Sequence, residues 1–160
     1  MNENVVFFLK FKKDLQFFYE SLSLKEGLIL MKKHGFTAVP VISASGEYVG
    51  SVSEGDFLWY LLEHKDEPDI LTDTLIKDLI RPNFMPAVNI NIPFEDLLNQ
   101  SLHQNYVPVV DDRNIFIGIV TRQTLLEHFG QQQPKDTLQA IITPCLEPQS
   151  NQIQVQLKRG

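Results

Sequence analysis

The sequence repeats one pattern of residues at a constant spacing of 68 positions. A Val-Pro-Val segment, a glycine and a hydroxyl residue recur in the same order: residues 39–41 and 107–109, Gly50 and Gly118, Ser53 and Thr121. Chance explains one such match but not several at a single spacing. The chain is therefore predicted to contain two copies of one supersecondary unit, each of which needs the other to bury its apolar face.

Each half predicts elements in the order β-α-β-β-α. In the first half these are a strand at 16–23, a helix at 24–33, strands at 38–42 and 48–52, and a helix at 53–62. In the second half they are at 87–92, 93–103, 106–110, 115–120 and 121–129. Turn-forming residues separate the paired strands, which predicts one hairpin in each half. A connecting helix is predicted at 72–80, before Pro82, because a residue that precedes proline avoids helical geometry.

These patterns predict an α/β fold (α+β-like) of two pseudo-symmetric repeats. Repeat 1 is expected at 7–66 and repeat 2 at 72–129, and the polar tail at 130–160 is expected to be mobile. A unit of about 60 residues buries too little surface to be stable alone. We therefore expect the two sheets to pack against each other or against a second chain, and a cleft where equivalent residues of the repeats face each other.

Composition excludes several classes of protein. Asp and Glu number 20 against 14 Lys and Arg, and the net charge of −6 disfavours binding to nucleic acid. The longest uncharged stretch, 97–110, contains several Asn and Gln residues and does not predict a membrane span, and the N-terminus lacks the order of a signal peptide. Cys145 is the single cysteine, which favours a reducing, cytoplasmic location. Metal-binding and catalytic motifs are absent, so we expect neither an enzyme nor a bound cofactor.

Residues 37–41 and 48–56 resemble the core of a cystathionine-β-synthase-type (CBS) domain, and residues 106–110 and 117–121 resemble a second copy. Two such domains in tandem are called a Bateman module, and the resemblance covers roughly residues 7–129. It implies a stand-alone regulatory module whose ligand is an adenosine derivative: AMP, ADP, ATP, S-adenosylmethionine or cyclic di-AMP. It also implies disk-like homodimers that pair through their helices.

Ser53 and Asp56 are the first candidate ligand contacts. Ser53 is predicted to end a strand and open a helix, and a helix N-terminus favours phosphate. The resemblance implies that Ser53 contacts phosphate and that Asp56 contacts both ribose hydroxyls. The spacing Ser-x-x-Asp is also that of a capping box, in which the two side chains only terminate the helix.

The second copy departs from this pattern. Thr121 corresponds to Ser53, but Thr124 stands where the resemblance implies an aspartate. Threonine offers one uncharged hydroxyl, so a diol is expected to bind more weakly there by roughly 0.5–1.5 kcal/mol. Arg122 is expected either to bind a phosphate or to be an ordinary solvated helix residue. The two sites are therefore predicted to be unequal.

The remaining candidate contacts surround the two Val-Pro strands and the segments that enter each repeat. They are Thr37, Ala38, Val39, Pro40, Asn105, Tyr106, Val107 and Pro108, with Phe18, Tyr19, Met85 and Ala87. Backbone groups beside the prolines are expected to contact the adenine edge, and the rings to stack on it. A simple core position is the commoner role of such apolar residues. His34 and His103, near the ends of the matching helices, are expected at the surface, with phosphate contact as the alternative.

Two functions remain open at this stage. In the first, an adenine nucleotide binds the cleft and changes the surface that the module offers to a partner protein. In the second, the chain is a constitutive dimeric scaffold whose nucleotide sites are not functional. Residues 57–62 are more apolar than one buried helix face requires, which predicts a subunit interface under either function.

Overall fold

A computed structural model of the chain describes residues 3–132, and the predictions for the tail beyond that point lie outside the described residues. The strands are β1 (Lys10–Phe11), β2 (Phe18–Tyr19), β3 (Ala38–Ile42), β4 (Tyr48–Ser53), β5 (Val88–Asn89), β6 (Tyr106–Val110) and β7 (Phe116–Thr121). The helices are α1 (Leu24–His34), α2 (Glu54–Glu63), α3 (Ile70–Asp73), α4 (Phe94–His103) and α5 (Arg122–Gln132). One compact unit ends at Leu126, and both sheets lie within it.

The predicted β-α-β-β-α order is present twice, as β2-α1-β3-β4-α2 and β5-α4-β6-β7-α5. In each repeat a short strand runs parallel to the first hairpin strand, and the hairpin itself is antiparallel. The registers match residue for residue, since Val41 pairs with Gly50 and Val109 pairs with Gly118. Both hairpins also shift register directly after these pairs. The spacing of 68 seen in the sequence is thus a structural repeat.

The N-terminal segment pairs with the sheet of the second repeat, although the sequence predicts that repeat 1 begins at residue 7. Strand β1 pairs antiparallel with β7, so the second sheet has the order β1-β7-β6-β5, whereas the first has the order β2-β3-β4. Gly118 permits this pairing because glycine has no Cβ. In any other residue the Cβ would lie 2.1 Å from the carbonyl oxygen of Lys10. Val5, Phe8 and Leu9 then join the apolar core of the second repeat. The N-terminal segment thus contributes to the sheet and the core of the second repeat.

The connecting segment is also different from its prediction. In place of one helix at 72–80, the chain forms the short α3, an extended residue at Thr74, and a 3₁₀ turn at Ile76–Leu79. The carbonyl of Thr74 accepts a hydrogen bond from the amide of Leu24, and the amide of Ile76 donates to the carbonyl of Leu22. These tertiary bonds satisfy the backbone that a continuous helix would have bonded internally. Ile76 and Leu79 consequently pack into the core of repeat 1.

A third apolar cluster joins the repeats. Its buried members come from both sheets and from the segment between them: Ile42, Met85, Tyr106, Phe116 and Ile119. The hairpin turns also meet, since the amide of Tyr48 donates to the carbonyl of Asn114 and the amide of Phe116 donates to the carbonyl of Gly46, both at 2.9 Å. The expected packing of one repeat against the other is therefore present. Among residues 3–132, no helix is long and apolar enough to cross a membrane.

Candidate functional site

A cavity of about 460 Å³ opens between the two repeats. Repeat 1 supplies the start of β3 and the end of β4, through Thr37, Ala38 and Ser53. The segment before β5 and the C-terminal end of α4 complete the wall with Asn83, Phe84, Met85, Pro86, Gln100, His103, Gln104 and Asn105. We call this space the inter-repeat cavity. Its volume lies in the range of small-molecule sites, and its wall mixes apolar surface with a few polar groups.

Ser53 lies at the cavity, but Asp56 does not line it. Asp56 is 7% exposed, and its Oδ2 accepts hydrogen bonds from the backbone amide and the hydroxyl of Ser53, both at 2.7 Å. Its Oδ1 accepts from Nε of Arg81 at 2.5 Å. The structure therefore shows the capping interaction that the sequence left open, with an arginine added. Without a change in these contacts, the carboxylate is not available to a ribose.

Arg81 is one of the residues at this site that the sequence did not predict. Its side chain is 54% exposed, and its guanidinium lies 3.8 Å from the centre of the Phe84 ring, which itself lines the inter-repeat cavity. The Arg81 side chain thus extends from the Asp56 carboxylate to an aromatic ring of the cavity wall. The sequence carried little signal for this ion pair, because the two residues are 25 positions apart and in different elements.

The second copy of the motif forms a neutral version of the same cap. The hydroxyls of Thr121 and Thr124 lie 2.8 Å apart, and the backbone amide of Thr124 donates to Oγ1 of Thr121. Arg122 donates from Nε to the carbonyl of Ser101 at 2.8 Å and from its terminal nitrogen to that of Leu102 at 3.3 Å. Arg122 is therefore not simply solvated; it binds the exposed carbonyls at the end of α4, as basic side chains often do at helix C-termini.

Several residues predicted to contact a ligand lie instead in strands or in the core. Phe18 is 2% exposed and packs in the core of repeat 1, so its ring does not reach the cavity. Val39, Pro40, Val107 and Pro108 are buried in β3 and β6. Tyr19 is half exposed and packs edge-on against Phe17. Ala87 is half-buried next to Pro86, whereas Thr37, Ala38, Met85 and Asn105 line the inter-repeat cavity.

One face of α4 provides the cavity residues that sequence reasoning missed or undervalued. Gln100, His103 and Gln104 are three and four residues apart, which is the spacing of one helix face. Nε2 of Gln104 donates to the carbonyl of Pro86 at 3.3 Å, so this buried amide joins α4 to the opposite wall. The spacing was visible in the sequence. The direction of this face was not, because Leu97 and Ser101 define the buried side only once the helix is packed.

The segment at 80–86, which we call the linker segment, has an unusual backbone. Asn83 and Met85 have φ values of 58° and 51°, a region that methionine rarely adopts. The carbonyl of Met85 accepts a 2.7 Å hydrogen bond from the hydroxyl of Tyr48, which helps to hold this conformation. Burial raises the pKa of Tyr48 far above its ordinary value, so the hydroxyl remains a donor at neutral pH.

Comparison with known proteins gives a consistent result. A sequence model of the CBS domain matches residues 3–63 and 76–130. The crystal structure of CbpB in complex with c-di-AMP superposes with a TM-score of 0.75 at 22% identity, covering 89% of this chain and 91% of that one. The crystal structure of CBSX2 in complex with AMP gives 0.67 at 26% identity, with 82% and 98% covered. An uncharacterized protein of Methanocaldococcus jannaschii is 27% identical over 139 residues, which covers 68% of this chain and 82% of the relative.

Proposed function

This chain belongs to the CBS domain family, and from that premise we propose that it is a regulatory module that binds an adenine nucleotide in the inter-repeat cavity. The single observation that carries the proposal is the cavity itself, which both repeats build around Ser53. In CBSX2, a relative of similar size, the bound molecule is AMP. We propose a regulatory and not a catalytic role, in the cytoplasm, with no metal or cofactor, and a protein partner that recognises the ligand-bound surface.

The cavity offers groups suited to each part of a nucleotide. Thr37, Ala38 and Asn105 lie beside the Val-Pro strands, where backbone groups can bind the edge of a base. Phe84 and Met85 provide apolar surface for its faces. Ser53 precedes the first turn of α2, where the helix dipole favours a phosphate. Thr121 and Thr124 are proposed to form a weaker second site, since their hydroxyls replace a carboxylate.

Ligand-dependent stabilisation tests this function. The chain is heated with AMP, ADP, ATP, S-adenosylmethionine or cyclic di-AMP, and the unfolding temperature is recorded. A ligand at 100 times its dissociation constant adds about 2.7 kcal/mol to the free energy of unfolding. We expect at least one of these ligands to stabilise the protein. If none does so, the chain is not a nucleotide sensor.

Variants of two histidines at corresponding positions in the repeats test whether the ligand binds in the inter-repeat cavity. His103 is the last residue of α4 and lines the cavity, whereas His34 is the last residue of α1 and stacks on Phe36. His103→Ala is expected to weaken binding of the stabilising ligand by about 5- to 10-fold, the loss of one hydrogen bond. His34→Ala is the matched control and leaves the affinity unchanged. Equal effects of the two variants would place the ligand elsewhere.

The alternative function is a constitutive dimeric scaffold with non-functional nucleotide sites. The observation that favours it is the state of Asp56, whose two oxygens already accept hydrogen bonds from Ser53 and Arg81. Under either function we propose a homodimer formed through α2, because Leu58, Trp59 and Leu62 each expose more than half of their surface. Stabilisation by a nucleotide at the inter-repeat cavity separates the sensor from the scaffold.

A further inference from the structure

We propose that Arg81 determines the ligand specificity of the inter-repeat cavity by selecting phosphorylated over unphosphorylated adenosine. Arg81 holds the Asp56 carboxylate in the structure; when a nucleotide binds, its guanidinium transfers to the ligand phosphate and releases the carboxylate to the ribose. This inference rests on the proposed nucleotide function and assigns to it a residue that lies outside the repeated motif.

The charge of the cavity wall is the first argument. None of the residues that line the inter-repeat cavity is a lysine or an arginine, and His103 is the only titratable one among them. A phosphate buried there would lack a permanent cationic partner, although charged ligand groups need one when they leave water. Arg81 is the cation connected to the wall, since Ser53 and Arg81 hydrogen-bond to the same carboxylate.

The distances allow the transfer. The terminal nitrogen of Arg81 lies 3.5 Å from Oδ2 of Asp56, which lies 2.7 Å from the Ser53 hydroxyl, so the guanidinium is within about 6 Å of that hydroxyl. A phosphate bound at Ser53 would therefore lie close to Arg81. Space for such a movement is present, because the Arg81 side chain is 54% exposed and borders a second cavity of about 420 Å³.

The ion pair between Arg81 and Asp56 explains why phosphorylated adenosine would bind in preference to adenosine. Asp56 is 7% exposed and its Oδ1 accepts a hydrogen bond from Arg81, so a ribose reaches this oxygen only after Arg81 has moved away. A phosphate compensates for the lost ion pair, because an arginine binds phosphate oxygens with paired, charge-assisted hydrogen bonds. Adenosine carries no such group and leaves the cost uncompensated. A ligand shifts this equilibrium only through its different affinity for the two states.

Calorimetric titration of AMP and adenosine tests the proposal. Wild-type protein is expected to bind AMP about 100-fold more tightly than adenosine, the effect of losing charge-assisted hydrogen bonds. In Arg81→Met the ratio is expected to fall at least about 10-fold, because AMP loses its cation while the carboxylate becomes available to adenosine. Arg113→Met is the matched control: it removes an exposed Arg-Asp ion pair with Asp111 and leaves the ratio unchanged.

The ratio of AMP affinity to adenosine affinity distinguishes a role of Arg81 in ligand specificity from a role in stabilising the fold. If Arg81 only supports the fold, Arg81→Met weakens AMP and adenosine equally, and an unchanged ratio overturns the proposal. Arg81→Lys covers the case in which the methionine variant does not fold: the lysine keeps the charge without the planar fork, and an intermediate ratio is expected. If wild-type protein binds neither AMP nor adenosine, the role given to Arg81 fails. The proposed nucleotide function fails only if ADP, ATP, S-adenosylmethionine and cyclic di-AMP also leave the unfolding temperature unchanged.

Discussion

The hydroxyl of Tyr106 in the second repeat lies 2.7 Å from Oγ of Ser51 in the first. Ser51 is fully buried and also lies 2.9 Å from the hydroxyl of Tyr48, which donates to the carbonyl of Met85. Three hydroxyls thus form one chain of hydrogen bonds from β6 through β4 to the linker segment. Because buried polar groups need partners, this chain fixes how the repeats meet and which way the cavity wall faces.

Tyr106→Phe tests the contribution of this chain to stability. At neutral pH we expect a loss of about 1 kcal/mol in the free energy of unfolding, because one buried hydrogen bond disappears. Burial raises the pKa of Tyr106 and that of Tyr48 above the ordinary value near 10. The unfolded chain therefore releases these protons first, and the free energy of unfolding falls above about pH 10. The variant should show a shallower fall.

Urea unfolding at a series of pH values measures both effects. Tyr19→Phe is the matched control, because this tyrosine is 49% exposed and its hydroxyl can be removed without loss of a buried hydrogen bond, so we expect unchanged stability at neutral pH. An alkaline slope in Tyr106→Phe as steep as in the wild type would contradict the role given to the buried phenol.

Asp56→Ala distinguishes helix capping from ligand binding. Its removal leaves the amide and hydroxyl of Ser53 and the guanidinium of Arg81 without an acceptor, so we expect a loss of about 1–3 kcal/mol in stability. If Asp56 also binds ribose, AMP affinity falls at least about 10-fold in conditions where the variant is fully folded. Stability is measured by urea unfolding and affinity by calorimetry.

Glu26→Ala provides the comparison within the same chain. Glu26 accepts hydrogen bonds from the amide and hydroxyl of Ser23 and so caps α1 in the way that Asp56 caps α2, but it lies at the exposed surface. The bonds from Ser23 also lower the pKa of Glu26. We expect the variant to lose capping stability and to keep its AMP affinity. An Asp56→Ala variant that behaved in the same manner would show that capping is the whole role of Asp56.

Gly118→Ala tests the pairing of the N-terminal strand β1 with strand β7 of the second repeat. The new Cβ would lie 2.1 Å from a backbone oxygen of β1, which cannot rotate away as a side chain can. We expect a loss of about 1–3 kcal/mol and faster amide exchange at Lys10 and Phe11. Gly130→Ala is the control, since a Cβ there meets no atom within 4 Å and alanine favours a helix. Unchanged stability and amide protection in Gly118→Ala would mean that β1 stays paired with β7 and does not require a glycine at this position.

The sequence predicted those parts of the fold that depend on neighbouring residues. Strands β3 and β6 have the predicted bounds, because their Val-Pro pattern and the following turns are local signals. The position of β1 was not predictable in this way, since its partner lies more than 100 residues away and Gly118 could be recognised only as part of the repeat. The candidate site was likewise predictable from the sequence only in part. The motif located Ser53, but the Arg81 contact depends on how the linker segment folds back over α2.

Charge on the exposed face of α2 tests the proposed homodimer. Leu58, Trp59 and Leu62 lie on one helix face, and each exposes 58–59% of its surface. Leu62→Glu is expected to convert dimers to monomers in sedimentation velocity, because a buried carboxylate in an apolar interface has no partner. Ile29→Glu is the matched control: Ile29 is 56% exposed on α1, outside this face. A wild-type protein that sediments as a monomer, or a Leu62→Glu variant that remains dimeric, would exclude α2 as the interface.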